Sequence, residues 1–574
     1  MASTIHGYEG TGRSLSIKLI NQLRQQSNMS ANDSTSSRLL KEVNLNQAIR
    51  YADNDPIETW LNRLLILDST NAECLNEGYP KLEDLELYYV NRDTLFSFHK
   101  GSEIFLKKLM SLFVSSHYKN SPNDLQLLSD APAHSIFVLC RNIEKDKDTG
   151  SKNIPDIFAA IQVCEEGGIR KNVILNNNKR GFKPAGDLIP WTISEHFQDN
   201  EFPNLTGVRV VRIATHPDCQ RMGYGTRALE LLTQFYEGKC INLDVENAVD
   251  FKNLKNLKPE STAIANANLT TEEIKPRKKL NPLMVKLTEI KPSFVYYIGT
   301  AFGLTKELFS FWKKNDFYPL YLKLSENDIT GEHSCIMIKP FDVKENNLRL
   351  NTSSDMYSVE YGNKIKWLNP FLADFKKRLI TLFSYEFRAF PLKLALSLID
   401  PQINSTTNDN KDDELDAIPC ETGSNLALLE KSAKGLTRST LDVFISQYDY
   451  KRLEMYTKNL VKYQMILDLV PTLSKFFFLK KFENLKLSYI QAAILLGLGL
   501  QFKSFDSIAE ELNIQTNQLL AMFNKMIKKF TNAIKQIYEF EIEKEDAFNK
   551  KKIAGDVNFI LIVLEEYCFF TSKI

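Results

Sequence analysis

The segment that most constrains this chain is 208–236, where an apolar strand pattern, VRVVRIA, runs into a glycine-containing turn and then into an amphipathic helix pattern. The turn carries the spacing Gln220-x-x-Gly223-x-Gly225. Glycines let a backbone approach a ligand closely, and free N–H groups at a helix N-terminus attract anions. The segment therefore predicts a phosphate-binding turn within an α/β (α+β) domain.

Two common phosphate-binding turns do not fit this segment. A dinucleotide-binding fold needs G-x-G-x-x-G with an acidic residue closing the βαβ unit, and a P-loop needs G-K-[ST]; the segment has neither. The spacing does fit Q/R-x-x-G-x-G/A, which resembles the pyrophosphate loop of the GNAT acetyltransferase superfamily. Taken alone, six residues are explained equally well by an ordinary strand-to-helix turn.

The surrounding pattern predicts three blocks: an N-terminal remnant, a long middle block and a C-terminal block. Short β-branched and aromatic runs separated by helical patterns predict an α/β or α+β domain, and the polar, strand-poor segment 249–283 predicts an insertion at about 245–285. Beyond residue 420, apolar residues recur at helical spacing, which predicts a mostly helical block. Polar stretches at 25–38 and 402–414 predict linkers or loops. The predicted strand runs are 134–140, 158–164, 208–214, 294–299, 321–324 and 335–338.

A second strand, helix and strand follow the insertion, and Phe311, Trp312 and Phe317 there resemble the closing helix of a GNAT fold. In that fold the strand before the loop splays from its neighbour, and the pantetheine of acetyl-CoA lies in the gap. The corresponding strand edge here is 213–215. Its N–H groups are also candidates to stabilise the oxyanion of an acyl-transfer intermediate.

Charge and cysteine usage exclude several classes of protein. The 574 residues carry 72 Lys+Arg against 71 Asp+Glu, a net charge of +1, so any nucleic-acid partner has to be met by local patches. The length predicts about three domains. Eight cysteines without a C-x-x-C pair fit neither a disulfide framework nor a zinc knuckle, and no metal site is predicted. The apolar run Ala492 to Leu500 is too short to span a bilayer, so it predicts a buried core helix and no membrane partner.

Colinear motifs along the chain resemble one family. They are GYEGTGRSLSIKLI, IRYADNDPIETWLN, ELYYVNRDTLF, SSHYKNSPNDLQLLSDAPAH, GDLIPWTISEHFQD, RVVRIATHPDCQRMGYGTRALELL, TGEHSCIMIKP and YDYKRLEMY. These motifs are similar to those of the eukaryotic RNA cytidine acetyltransferases, the nucleolar enzymes that make 4-acetylcytidine in small-subunit rRNA and in some tRNAs. The likeness extends to about residue 540.

The resemblance implies four parts: the end of a helicase-like ATPase module over 1–85, a GNAT domain over 86–345, a helical RNA-binding domain over 365–556 and an atypical tail over 557–574. The nucleotide P-loop expected before Met1 is missing, so we expect the chain to be the back portion of a larger protein. The implied cofactor is acetyl-CoA, with ATP and Mg²⁺ only in the intact family protein.

The resemblance also implies an acyltransferase of ribosome biogenesis that acetylates the exocyclic 4-amino group of cytidine. Its implied partners are small-subunit rRNA and tRNA, with a guide RNA or a tRNA-binding adaptor protein, and a homodimer is a further expectation. The implied location is the nucleus and the nucleolus. Two other functions stay open: protein lysine acetylation, because a GNAT fold does not define which amine it serves, and a non-catalytic RNA-binding scaffold in ribosome assembly.

Carried over residue by residue, the resemblance assigns a cofactor site. Lys314 on the closing helix stands where an Arg is usual, which keeps the charge but loses the planar fork. Arg221 stands where relatives usually have a small residue and adds a cation beside the pyrophosphate. Arg50 matches a position that contacts ATP. The other acetyl-CoA-binding residues implied are Ile213, Ala214, Thr215, Gln220, Met222, Gly223, Tyr224, Gly225 and Thr226.

Catalysis needs a positioned base, because the amine of cytidine is a poor nucleophile and must lose a proton. His117 matches the catalytic histidine proposed for the family, and a near-neutral imidazole suits that role; taken alone, the residue is better explained as a helix cap or a packing residue. Arg212 resembles a second residue implicated in catalysis, and strict alternation turns it away from Val211 and Ile213. A structural ion pair is the alternative for Arg212. Two further histidines, His134 and His216, are predicted to be structural.

RNA contacts are expected in two basic patches, for which a solvated helix face and a charged loop are the alternatives. The patches are Lys525, Lys528, Lys529 and Lys535 with Phe523, Phe530 and Tyr538, and the run KPRKK at 275–279.

Overall fold

The computed structural model describes residues 49–67, 78–116, 122–142, 154–181, 186–240, 281–327, 331–341, 367–399, 436–482 and 485–542, with the pair 249–250 and the single residues 23, 69, 72, 75 and 184. Met1–Lys364 and Ile365–Ile574 are two compact units, and each is described by itself. Several predicted features lie outside the described residues, namely both predicted linkers, the run at 275–279 and the tail at 557–574.

Eight strands form the main sheet of the first unit: β1 (Leu85–Val90), β2 (His134–Arg141), β3 (Ala159–Gly167), β4 (Thr206–Thr215), β5 (Met284–Lys286), β6 (Tyr297–Gly303), β7 (Tyr318–Glu326) and β8 (His333–Pro340). Their order is β5-β1-β2-β3-β4-β6-β8-β7. Neighbours are antiparallel except for β4 and β6, which run parallel. This mixed sheet confirms the predicted α+β class.

The predicted strand runs all overlap strands of this sheet, and the sheet differs from the prediction in three places. The run predicted at 294–299 is shifted to β6, because pairing with β4 starts only at Tyr297 opposite Gly207. The run LELYYV was not predicted as a strand but forms β1, which is buried on both faces and therefore shows little period-two alternation. The end of the predicted insertion also joins the sheet, since β5 pairs with β1 at its edge.

Helices cover both faces of the sheet. Ile136 and Val138 of β2 lie in one core with Phe105, whereas the ring of Phe137 contacts the ring of Phe235 at a centroid distance of 5.8 Å. Alternate residues of β2 therefore serve opposite faces. The helices of this unit are α1 (Pro56–Leu65), α2 (Arg92–Leu95), α3 (Lys100–Ser116), α4 (Pro122–Asp130), α5 (Lys171–Arg180), α6 (Leu188–Phe197), α7 (Tyr224–Tyr236) and α8 (Lys306–Lys314).

The second unit is helical in its described residues, as predicted. Its helices are α9 (Asn369–Leu382), α10 (Leu392–Ile399), α11 (Arg438–Phe444), α12 (Gln447–Thr457), α13 (Val470–Phe478), α14 (Tyr489–Gly499), α15 (Phe505–Leu512) and α16 (516–542). Helix α14 is buried from Gln491 to Gly499 and packs against α10 and α13, which confirms the predicted core helix. Within the described ranges, no helix is both long and apolar enough to cross a membrane.

Candidate active site

Strands β4 and β6 separate within the sheet. Their parallel ladder runs from Gly207 opposite Tyr297 to Val210 opposite Thr300 and ends there, although β4 continues to Thr215. Over this last stretch β4 still pairs with β3 on its other side, and β6 pairs with β8 as far as Gly303. The edge of β4 that faces β6 over 211–215 therefore has polar backbone groups outside any ladder, as the resemblance implied for a pantetheine-binding gap.

A β-bulge marks the place where the strands part. On β3, Gln162 lies opposite Arg212 and Val163 lies opposite Val210, so Val211 is the extra residue. A bulge bends its strand and increases the local twist, which accounts for the divergence from β6. It also interrupts the strict alternation that underlay the predicted facing of Arg212 and Val211.

Arg212 forms an ion pair with α4. Its Nη2 lies 2.8 Å from Oδ2 of Asp124, and the two side chains are 12% and 24% exposed. Gln162 lies directly across the ladder from Arg212. Its Nε2 donates a hydrogen bond to Nδ1 of His134 at 2.9 Å. The ion pair that was the alternative explanation of Arg212 is thus present, and the catalytic role stays a prediction. Asp124 was not predicted, because nothing local distinguishes it from any acidic residue in a first helical turn.

The glycine loop leads directly into helix α7. Gly223 is the N-cap of α7 with φ +93°, and no side chain caps the helix. The first-turn N–H groups consequently point out of the helix without a capping partner, and the helix dipole favours an anion beside them. Arg221 has φ +65° and is exposed, as are Gln220 and Met222. A left-handed backbone conformation favours glycine, which fits the small residue that the resemblance leads us to expect at the position of Arg221.

The side chain of Tyr224 anchors this loop and does not face a ligand. It is 2% exposed, its hydroxyl donates to the carbonyl oxygen of Pro80 at 2.7 Å, and its ring stacks on Phe158 at 5.7 Å. Burial raises the pKa of its phenol. Of the predicted cofactor contacts of Tyr224, only the backbone N–H is therefore open to an anion.

Helix α8 closes the loop from the other side. A side chain built on Gly225 would meet Oγ1 of Thr215 at 3.2 Å and the ring of Phe311 at 3.6 Å, so loop, strand end and helix meet at this glycine. Trp312 is buried in the same helix. Lys314 lies in the last turn and is exposed, whereas its neighbour Lys313 is buried.

The turn before the loop holds a cysteine and a histidine. Burial, with a smaller contribution from Asp218, raises the pKa of the Cys219 thiol, so this buried thiol stays protonated and is a poor acyl-accepting nucleophile. His216 caps the turn by accepting from the N–H of Asp218 at 3.3 Å and is buried. His134 begins β2, so both histidines have the structural positions predicted for them.

The two remaining predicted site residues are His117 and Arg50. His117 lies outside the described residues, between α3 and α4. Arg50 is exposed ahead of α1. Within the part of the chain that the structure describes, no group of three or more His, Cys, Asp and Glu side chains is arranged to hold a metal ion.

Family models match the chain in three places. The model "GNAT acetyltransferase 2" matches residues 108–342 and includes the gap, the loop and α8. The model "Possible tRNA binding domain" matches 367–558, and "RNA cytidine acetyltransferase NAT10/TcmA, helicase domain" matches 1–68. The fold and the site thus define a GNAT acetyltransferase module followed by a helical unit.

Relatives that match nearly the whole of this chain narrow the class of acetyltransferase further. The RNA cytidine acetyltransferase of Dictyostelium discoideum is 47% identical over 554 residues, covering 94% of this chain and 49% of that protein. Those of Homo sapiens and Saccharomyces cerevisiae are each 44% identical, covering 95% of this chain and 50% of theirs. The chain is similar to RNA cytidine acetyltransferases over nearly its whole length, and it spans about half the length of the curated relatives that it matches.

Proposed function

We propose that this chain carries the acetyl-transfer and RNA-binding parts of an RNA cytidine acetyltransferase. The reaction moves an acetyl group from acetyl-CoA to the exocyclic 4-amino group of cytidine. The observation that carries the proposal is the gap between β4 and β6, which ends directly at the uncapped N-terminus of α7. An acyl-CoA has a matching shape, with an amide-bearing pantetheine arm and an anionic pyrophosphate at its end.

The residues present fit acetyl-CoA. The edge of β4 at 213–215 offers backbone groups for the pantetheine amides, and the loop Gln220 to Thr226 offers N–H groups for the pyrophosphate. Arg221 is an exposed cation within the loop and Lys314 is an exposed cation at the end of α8, and both add to the attraction for phosphate. We expect Arg50 to contribute to a nucleotide site that binds ATP and Mg²⁺ only in the intact family protein.

In the proposed reaction, the 4-amino nitrogen of cytidine forms a C–N bond to the acetyl carbon while the C–S bond of the thioester breaks. Coenzyme A leaves as the thiol, and the nitrogen loses a proton. His117 is proposed as the base that accepts this proton and then passes it to the departing sulfur, which accounts for the proton of the coenzyme A thiol. Arg212, held by Asp124 beside the bulge, is proposed to stabilise negative charge that develops on the acetyl oxygen.

The proposed substrates are small-subunit rRNA and tRNA, consistent with the tRNA-binding description of the family model over 367–558. We propose a role in ribosome biogenesis, in the nucleus and nucleolus, with a guide RNA or a tRNA-binding adaptor presenting the target. A homodimer is part of the same proposal.

The test offers both kinds of amine to the protein at once. Acetyl-CoA labelled in the acetyl group is incubated with the chain, a small-subunit rRNA fragment and a histone mixture, and the label is counted separately in RNA and protein. Label on the RNA is the expected result. Label only on protein would replace the proposal with lysine acetylation, and the absence of both transfer and acetyl-CoA binding would favour a non-catalytic scaffold.

A further inference from the structure

The helical unit contains a cavity of about 380 Å³ between the segment that follows α12 and the face of α16. It is separate from the acetyl-transfer site, because it lies wholly within Ile365–Ile574. Cavities from about 300 Å³ upward hold small ligands or single chemical groups of larger ones. Its wall includes Tyr456, Asn459, Lys462, Tyr463, Gln464 and Asn524.

The motif YDYKRLEMY holds this wall in place. Arg452 donates to the carbonyl oxygen of Met465 at 2.9 Å and makes two hydrogen bonds to Asp468, at 3.1 and 2.8 Å. The same guanidinium bonds Asp449 at the start of α12. The hydrogen bonds to Asp468 and Asp449 raise the pKa of Arg452, which remains a cation. The segment between α12 and α13 is therefore fixed to α12, and the cavity is built before any ligand arrives.

Two tyrosine rings stand in fixed orientations in the wall. Tyr456 is buried and meets Phe523 edge to face at 5.9 Å, while Tyr463 is half-buried and meets Phe505 edge to face at 4.9 Å. Rings held in this way offer an aromatic surface to a ligand at little entropic cost.

An amide pair supplies hydrogen-bonding groups. Nδ2 of Asn524 donates to Oδ1 of Asn459 at 2.8 Å, and Oδ1 of Asn524 is buried without a hydrogen-bond partner among the described residues. A buried acceptor without a donor is costly, and a donor from a ligand would remove that cost. Gln464 adds a third amide, which is exposed on the same wall. The wall thus presents both donors and acceptors.

The rim of the cavity is basic. Lys462 is exposed in its wall, and Lys528 follows Asn524 by one helical turn on the same face of α16. Nζ of Lys458 lies 2.8 Å from Oε1 of Glu454, and this ion pair offsets the positive charge of Lys458. Lys462 lines the cavity and Lys528 lies one helical turn from the lining residue Asn524, so the two lysines supply cations near a base that enters the cavity.

We propose that this cavity receives one unpaired nucleobase of an RNA strand, whose flanking phosphates contact Lys462 and Lys528. Proteins hold single-stranded RNA by aromatic contacts, by polar groups on the base edge and by cations on the backbone, and this wall combines all three. The inference rests on the proposed function, since it takes RNA as the substrate of the chain.

The test measures binding of the whole chain to a short fluorescent single-stranded oligoribonucleotide and to the same oligonucleotide in a duplex. Asn524→Leu keeps the branched outline of the side chain but removes the amide, and it should weaken single-strand binding about tenfold while leaving duplex binding unchanged. Gln464→Leu, an exposed change that spares the core, should act in the same direction. Lys462→Gln should lower the salt dependence of binding by about one charge, whereas Lys393→Gln on α10, outside the cavity, should not.

Thermal unfolding confirms that each variant is folded before its affinity is compared. Unchanged single-strand affinity in both Asn524→Leu and Gln464→Leu overturns the cavity assignment alone and leaves the site to a protein partner. A chain that binds neither RNA overturns the assignment together with the proposed substrate class. Acetyl-CoA binding separates this outcome from a failure of the acetyl-transfer site.

Discussion

Single residues determine where β4 leaves β6. Val211 is the additional residue of the bulge, and its neighbour Arg212 forms an ion pair with Asp124 of α4. A guanidinium held by a carboxylate keeps one orientation, which an oxyanion-stabilising group needs. Arg212, which was named from the resemblance, and Asp124, which was found only in the structure, therefore form one ion-paired unit.

Replacing Asp124 by Asn tests that unit. The substitution keeps the shape but removes the charge that orients Arg212, so kcat for RNA acetylation should fall about tenfold, or about 1.4 kcal/mol, with little change in KM for acetyl-CoA. Asp124→Glu, which restores the carboxylate, should recover part of the rate. A purely structural pair would lower the melting temperature of Asp124→Asn while leaving kcat unchanged, and that pattern would contradict the proposed role.

Arg221 can be tested by replacement with glycine. Relief of a left-handed residue gains about 1 kcal/mol, and the added freedom of glycine in the unfolded chain costs nearly as much, so the unfolding free energy should change by less than about 1 kcal/mol. Loss of the cation should weaken acetyl-CoA binding at low salt and much less at high salt. Titration calorimetry at two salt concentrations measures this; equal affinity at low salt would show that Arg221 points away from the pyrophosphate.

Among the elements, α8 joins the loop to the sheet. Phe311 contacts the position of Gly225, and Lys314 lies at the exposed end of the helix. Lys314→Gln should weaken acetyl-CoA binding roughly threefold at low salt, the range of an exposed ion pair. Lys306→Gln, at the opposite end of the same helix, is the matched control. Identical affinities in the two variants would remove Lys314 from the site.

Helix α12 has a pH-dependent anchor. Burial raises the pKa of Asp449, but hydrogen bonds from Arg452 and Ser446 outweigh it and hold that pKa below its usual value. A carboxylate with a lowered folded pKa stabilises the fold above its unfolded pKa, and this contribution is lost as the pH falls through the folded value. Asp449→Asn should therefore show a smaller fall in melting temperature between about pH 6 and about pH 3 than the unchanged chain. An equal fall, followed by circular dichroism, would contradict this assignment.

At the scale of the whole molecule, local patterns predicted six of the eight strands of the main sheet, the glycine loop and the buried helix α14, because each is encoded by consecutive residues. The bulge and the choice of Asp124 as the partner of Arg212 were not predicted, and the separation of β4 from β6 was expected only from the resemblance, since all three depend on partners more than forty residues away in the chain. The closeness of Gly225 to Phe311 is equally non-local. The roles of His117 and Arg50 remain predictions from resemblance.

The central claim is that the N-terminus of α7 binds the pyrophosphate of acetyl-CoA. Gly225→Asp and Gly225→Asn are isosteric, and a carboxylate in the first turn favours the helix itself, so the two variants differ chiefly in charge at the proposed anion site. Titration calorimetry should find one acetyl-CoA per unchanged chain and at least about tenfold weaker binding to Gly225→Asp than to Gly225→Asn. Equal affinity of the two variants, or no binding by the unchanged chain, would contradict the account.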